Sequence, residues 1–284
     1  MKTEMIAIVS ILLVFVLLEI RYTRFFAKPL QNMSDVIVEL VSTLTLSLFT
    51  QPLVLASSVL LASLLLPGAQ GVLNDWPLWA IAVLFLVFDD LSQYWWHRLS
   101  HSVAFLYNLH RPHHNANYLS IRVVYRNNLF YYLLMPGLWF SGVLIYMGGG
   151  EVYLFYIVLK MAVIFGAHSD VRWDQKLYAI GWLSPLMWLL ERTISTPATH
   201  AAHHGKHQSD GITHYKGNYG NLLFFWDVLF KSAKITRRYP TEFGVEDLPE
   251  TSIGEQLIWP LVRVPELQHP LPAEAGGQQS SRVG

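Results

Sequence analysis

The chain contains no cysteine. Disulfides, zinc fingers, iron–sulfur clusters and thiolate haem are therefore excluded, and any bound metal must be held by nitrogen and oxygen. Charge is scarce as well. Asp, Glu, Lys and Arg make up 14% of the 284 residues, and 20 basic against 20 acidic side chains give a formal net charge of zero. That balance leaves no electrostatic footprint for a nucleic-acid partner. The sequence also lacks a GxGxxG fingerprint and an HExxH zinc motif, so neither a dinucleotide cofactor nor a zincin-type centre is indicated. What is abundant is apolar: hydrophobic residues are 52% of the chain and the mean hydropathy is +0.32. Such a composition points to a membrane protein.

The apolar residues fall into runs. Residues 5–20 are apolar apart from Glu19 and are followed by Arg21, Arg24 and Lys28. No small-residue cleavage pattern follows, so the run reads as an uncleaved anchor. Residues 36–66 exceed the roughly 30 Å of a hydrocarbon core at about 1.5 Å per residue. Interrupted by Gln51-Pro52, they are expected to form one kinked crossing rather than a hairpin. Further spans are expected over 76–96, 129–147 and 152–167, the last carrying Lys160. Residues 177–190, broken by Pro185, read as an interfacial or re-entrant segment. After Pro265 the chain turns Pro-, Gly-, Gln- and Ser-rich, as a disordered tail does.

Histidine carries the chemistry. Five of the twelve histidines fall within twenty residues, as His97 and His101, then His110, His113 and His114; His200, His203 and His204 form a third run. On a helix, residues at i, i+3 and i+4 share a face, so each run is expected to point one way. Imidazole is neutral near pH 7 and is the commonest protein ligand of first-row metals. Burying eight ring N–H groups without partners would be very costly, so a core role does not explain them. One metal takes three to five such ligands, so eight or more imply two ions close together. Two redox-active irons in an all-nitrogen shell suit activation of O2, and a membrane position suits a lipid-soluble substrate. The soluble di-iron pattern of Glu-x-x-His pairs on a four-helix bundle is missing from the apolar spans. The first two runs lie between the third and fourth spans and the last follows the fifth, so all reach one membrane face. Arg98, Arg111, Arg122 and Arg126 lie on that side, whereas 67–75 and 148–151 carry no Lys or Arg. The positive-inside rule then places the histidines at the cytoplasm.

The order H-x3-H, H-x2-HH, a lone histidine after two further spans, then H-x2-HH resembles the fatty acid hydroxylase/sterol desaturase superfamily. The likeness covers roughly residues 90–230 and includes D-x3-YWWHR (Asp90 to Arg98), NYG (Asn218 to Gly220) and WDVLF (Trp226 to Phe230). It implies a di-iron ligand set of His97, His101, His110, His113, His114, His168, His200, His203 and His204. Arg172 stands where fuller sets add a histidine, and Asp170 where an Asn is expected. His207 is a further candidate ligand, while His214 and His269 read as surface or loop residues. Asp90 lies seven residues before His97 on the same helical face. A carboxylate at membrane depth is functional by default, here as a partner orienting a metal-bound ring; an interfacial Asp that snorkels to water is the rival reading. Asn218 and Asp227 are similar candidates through the resemblance. Pro112 and Pro197 are expected to set helix entries. Lys160 is left with three roles: snorkelling, pairing with Glu151, or lining a substrate tunnel.

The expected fold is all-α, a polytopic membrane bundle of about four to five spans with a cytoplasmic histidine-rich helical cap. Residues 1–75 are expected to hold anchor spans, 76–264 the catalytic domain and 265–284 the tail. The expected activity is O2-dependent hydroxylation or desaturation of a lipid of sterol or fatty acyl type by two irons. Two electrons would come from a separate donor of cytochrome b5 or ferredoxin/reductase type, docking at the cytoplasmic face. The membrane would be a bacterial inner membrane or the endoplasmic reticulum. Two rivals stand beside this: a membrane zinc metallohydrolase (zinc being also the alternative ion expected on purification) and a non-enzymatic metal transporter. The first would want a carboxylate base near the metal, the second ligands at the bilayer midplane.

Overall fold

A computed structural model of the protein describes residues 2–28, 31–248 and 251–263. The expected tail over 265–284, with His269, lies outside them. The described residues form α1 (Lys2–Tyr22), α2 (Met33–Leu65), α3 (Leu78–Ser100), α4 (Ala104–His114), α5 (Leu129–Leu133), α6 (Pro136–Leu144), α7 (Gly150–His168), α8 (Trp173–Tyr178), α9 (Ser184–Thr193), α10 (Pro197–His204), α11 (Phe225–Leu229) and α12 (Ile253–Ile258). Among the described residues there is no β-strand, only two isolated bridges. Four stretches are long and apolar enough to cross a membrane: Met5–Tyr22, Met33–Leu65, Leu78–Ser100 and Leu129–His168. The protein is an all-helical integral membrane protein.

The last stretch is a helical hairpin. At Gly148 the backbone takes φ +109°, where a side chain would be strained, and a Cβ there would lie 2.3 Å from Asn74 Oδ1. Gly137 packs against Asp89, whereas Gly149 packs against Ile81 and Phe85, so α6 runs antiparallel to α3. Helix α7 then returns. The rings of Tyr153 and Tyr156 lie 5.6 and 5.4 Å from that of Phe85, and Lys160 Nζ meets Asp89 Oδ2 at 2.6 Å. Helices α3 and α7 are therefore parallel, and His97 and His168 emerge at the same end.

Helix α2 continues through Pro52, as one crossing. A π-helical turn at Leu46–Thr50 precedes the proline. Widening that turn makes room for a ring that would otherwise meet a carbonyl of the preceding turn. Helix α6 lies against α2 where Gly142 faces Ser58, and a Cβ on Gly142 would sit 1.7 Å from Ser58 Oγ. Close approach through a missing side chain is a usual way for membrane helices to pack.

The expected interfacial segment is broken into α8, a 3-10 turn over Gly181–Leu183 and α9. Along α9, Leu186, Trp188 and Leu189 are exposed while Met187 and Glu191 are buried, an amphipathic pattern too short to cross. The carboxylates of the first two spans face inward. Glu19 accepts hydrogen bonds from Ser120 Oγ (2.6 Å), Ile121 N (3.1 Å) and Asp170 N (3.0 Å), and Glu39 binds the Arg122 guanidinium at 2.6 Å. Both side chains thereby clamp the segment that follows α4. Lys160 pairs with Asp89 rather than with Glu151.

Candidate metal centre

The nine expected histidines converge in two adjacent groups. His97, His101, His110, His114 and His203 form one; His113, His168, His200 and His204 form the other. Within each group one ring nitrogen per residue lies within 4.8 Å of the rest, and no carboxylate joins either. The runs do not each point one way, as the sequence reading had it. His110 and His114 of α4 enter the first group and His113 the second; His203 of α10 enters the first group, His200 and His204 the second. The reason is helical geometry. At about 100° per residue, positions i+3 and i+4 are themselves about 100° apart, so the i, i+4 pair serves one centre and the residue between them turns to the other.

Local structure fixes these helices. Thr196 caps α10 in a capping box with Thr199, and Pro197 occupies its first turn. Asp174 Oδ2 accepts from Ala198 N at 2.9 Å, adding a carboxylate at the positive end of the helix. Pro112, expected at a helix entry, lies instead inside α4 in its last turn.

Five of the nine rings are aimed from behind. The Nδ1–H groups of His97, His113, His168 and His203 donate to the carbonyls of Tyr219 (2.7 Å), Val123 (2.8 Å), Ile164 (2.8 Å) and Gly217 (2.7 Å). His110 Nδ1 donates to Asn127 Oδ1 at 2.8 Å. A carbonyl can only accept, so these four Nδ1 atoms carry the proton and each Nε2 presents a lone pair. Yet His203 Nε2 faces His97 Nε2 at 3.0 Å, and His168 Nε2 faces His113 Nε2 at 3.4 Å. His101 Nε2 and His204 Nε2 are buried with no partner. Burial, and then the neighbouring rings, hold His101, His110, His113, His114, His200, His203 and His204 well below the usual histidine range, so the rings are neutral at pH 7. Opposed lone pairs in a buried site repel unless a cation lies among them. The donor set fits a pair of first-row metal ions.

Asp90, Asn218 and Asp227 touch no histidine ring; all three brace one loop. Asp227 accepts from Tyr219 N (2.9 Å), Gly220 N (2.6 Å) and Ser232 Oγ (2.6 Å). Its carboxyl is pushed above the usual range by burial, against the lowering effect of these bonds. Asn218 sits in the left-handed region at φ +57°, which Asn tolerates better than most residues. Its Nδ2 donates to the Thr199 and Lys234 carbonyls, and its Oδ1 accepts from Lys234 N. Asp90 accepts from Leu222 N (3.3 Å), Leu223 N (3.2 Å) and Trp226 Nε1 (2.8 Å). The braced loop supplies the Gly217 and Tyr219 carbonyls that aim His203 and His97.

His207 lies outside both groups, paired with Glu246 at 2.9 Å. His214 faces the Ser232 carbonyl. Asp170 pairs with Lys28 at 2.6 Å, and the Arg172 guanidinium lies over the Tyr239 ring. Asn127 had not been singled out from the sequence. Its only signal there is a pair of amides, Asn127-Asn128, at the head of an apolar run.

A cavity of about 100 Å³ opens on both groups, touching His97 and His110 of one and His113 and His168 of the other. Leu46, Met135, Leu138, Ile157, Met161 and Ile164 give it apolar walls, and Gln51, Gln93, Lys160 and Asn221 a polar side.

The model of the family described as "Fatty acid hydroxylase" matches residues 82–232. Human alkylglycerol monooxygenase is 24% identical over 141 residues, 50% of this chain and 28% of that protein; the Danio rerio alkylglycerol monooxygenase is 26% identical over 142 residues, with the same coverage. Ornithine lipid hydroxylase OlsE of Rhizobium tropici is 27% identical over 191 residues, 67% of this chain and 53% of that protein. The chain thus spans between about a quarter and about half of the length of these relatives. No solved structure matches it.

Proposed function

Because the chain belongs to the fatty acid hydroxylase family, we propose that it is an integral membrane di-iron oxygenase that hydroxylates a lipid, using O2 and two electrons from a separate donor. The observation that carries this reading is the pair of adjacent all-histidine groups opening on one cavity between apolar spans. His97, His101, His110, His114 and His203 would hold one iron, and His113, His168, His200 and His204 the other. When bound, the irons would supply O2 activation and oxidation of an unactivated C–H bond.

The rest falls to the protein. The carbonyls of Tyr219, Gly217, Val123 and Ile164, with the Asn127 amide, fix which nitrogen of His97, His203, His113, His168 and His110 faces the metal. Asp90, Asn218 and Asp227 act as positioning residues through the loop they brace. The apolar cavity wall holds the hydrocarbon of the lipid and excludes water. Residues 76–264 form the catalytic unit, and 1–75 hold the anchoring spans. The names of the relatives, a monooxygenase and a lipid hydroxylase, favour oxygen insertion over desaturation. The all-histidine shell speaks against a zinc hydrolase, which wants a carboxylate base at the metal. A transporter would hold its ligands at the midplane, whereas these cluster at one end of the spans. By the positive-inside rule that end faces the cytoplasm, where an electron donor of cytochrome b5 or ferredoxin/reductase type would dock.

The test is to express the protein and its His113→Ala variant under isotopically heavy dioxygen and to analyse the extracted host lipids by mass spectrometry. A labelled hydroxyl on a membrane lipid, present with the wild type and missing with the variant, is the expected outcome. A product carrying oxygen from water, or identical lipids from both, refutes the proposal.

A further inference from the structure

The cavity is not uniformly apolar, and one of its polar groups has no partner. Gln93 lines it, the residue as a whole is 9% exposed, and its Oε1 is buried without any hydrogen bond. A buried amide oxygen left unpaired costs about as much as a lost hydrogen bond, and Gln93 sits inside a membrane-spanning helix, where polar side chains are expensive and mark sites of use. Asp89, one turn earlier on α3, cannot satisfy it, because its carboxylate, which accepts from Lys160 Nζ at 2.6 Å, is itself an acceptor. That pair is internally neutral, so the polar side of the cavity offers no net charge to a ligand. Gln93 also precedes His97 by four residues. It therefore shares the helical face of that histidine, one turn or about 6 Å deeper in the bundle. An acceptor in that place can read the part of a bound lipid that lies within a few bonds of the carbon held over the histidines.

We propose that Gln93 is a specificity-determining residue: its side-chain carbonyl accepts a hydrogen bond from a neutral donor of the substrate, a hydroxyl or an amide N–H, placed a few bonds from the carbon that is oxidised. The substrate class is then a lipid with such a donor near the reacting carbon, not a plain hydrocarbon segment far from any polar group. The inference rests on the proposed lipid hydroxylase reading, since it takes this cavity to be where the substrate sits. Apolar substrates gain nothing from Gln93 and leave its oxygen unpaired, so they bind less well than their size would allow.

Binding can be measured without turnover. The full-length protein in detergent, metal-loaded and metal-free, is titrated with three probes of equal chain length (1-hexadecanol, N-hexadecylacetamide and n-hexadecane), and the thermal midpoint is followed; a ligand that binds only the folded state raises it with concentration. The wild type is expected to bind the two donor-bearing probes about tenfold more tightly than the alkane. Gln93→Leu and Gln93→Met, two apolar replacements of similar size, are expected to abolish that discrimination, with n-hexadecane bound no more weakly than by the wild type. Equal binding of the three probes by the wild type overturns the proposal, as does discrimination that survives in either variant. Iron analysis of the same samples reports separately on the di-iron reading. Discrimination without iron supports the pocket assignment and counts against that reading; iron without discrimination does the reverse.

Discussion

Asn127 is the side chain on which aiming of the first metal group depends most simply. It is buried, its Oδ1 accepts from His110 Nδ1 at 2.8 Å, and its Nδ2 donates to Tyr132 Oη at 3.0 Å. Replacement by Leu keeps the volume close and removes both bonds. Tyr132 retains an acceptor in the Val124 carbonyl, so the His110 Nδ1–H is the group left unpaired. Two costs follow. The metal-free fold should lose about 1–3 kcal/mol, as for one buried unsatisfied donor. Metal affinity should fall roughly 10–100-fold, the usual effect of removing the partner of a metal-bound imidazole, which is about 1.4–2.8 kcal/mol. The loss should be confined to one centre, because His110 belongs to the group of His97, His101, His114 and His203 and not to that of His113, His168, His200 and His204. An anaerobic iron(II) titration against a competing chelator resolves the two binding steps. Asn127→Leu should weaken one step and leave the other, and Asn127→Asp, which keeps an acceptor, should restore most of the loss. Two steps weakened alike, or neither weakened, would show that Asn127 does not aim a ligand of a single centre.

Other consequences can be checked alongside. His203→Ala and His200→Ala each remove a ligand from a different group, so each should lower the metal content by about one ion per chain, and the double variant should hold none. In the metal-free protein, stability should fall as the pH drops below about 6.5: the unfolded chain takes up protons on its histidines there, whereas His101, His110, His113, His114, His200, His203 and His204 are held well below that value by burial. The unfolded state then binds more protons, and the midpoint of thermal unfolding should decline from pH 7 to 5 rather than rise. Lys160→Met strands the Asp89 carboxylate inside the bundle and should cost about 3–5 kcal/mol; Lys160→Met with Asp89→Asn should recover most of it, as read by denaturation in mild detergent.

How far the sequence discloses this arrangement depends on which atoms do the work. The histidines are legible because a metal site needs imidazoles in number, and their spacing of three and four residues already places them on helices. The spans are legible because lipid demands long apolar runs, and the return at Gly148 falls between the expected spans over 129–147 and 152–167. The division of the second and third histidine runs between two centres was not legible. It depends on where α4 and α10 sit relative to α3 and α7, a tertiary fact that no single run contains. Nor were the partners of the rings, because Val123, Ile164, Gly217 and Tyr219 contribute backbone carbonyls, and every residue type carries one. Asp90 illustrates an intermediate case. Its depth in the membrane marked it as a residue with a task, yet the task is to hold Leu222, Leu223 and Trp226 in place, not to bind a ring.

The central claim is that these nine histidines hold two irons. Metal content per chain, measured on protein purified gently from membranes beside the His113→Ala variant, tests it most directly. Two irons per chain in the wild type and a clear loss in the variant are the expected result. One metal or none in the wild type, with the same content in the variant, would contradict the account.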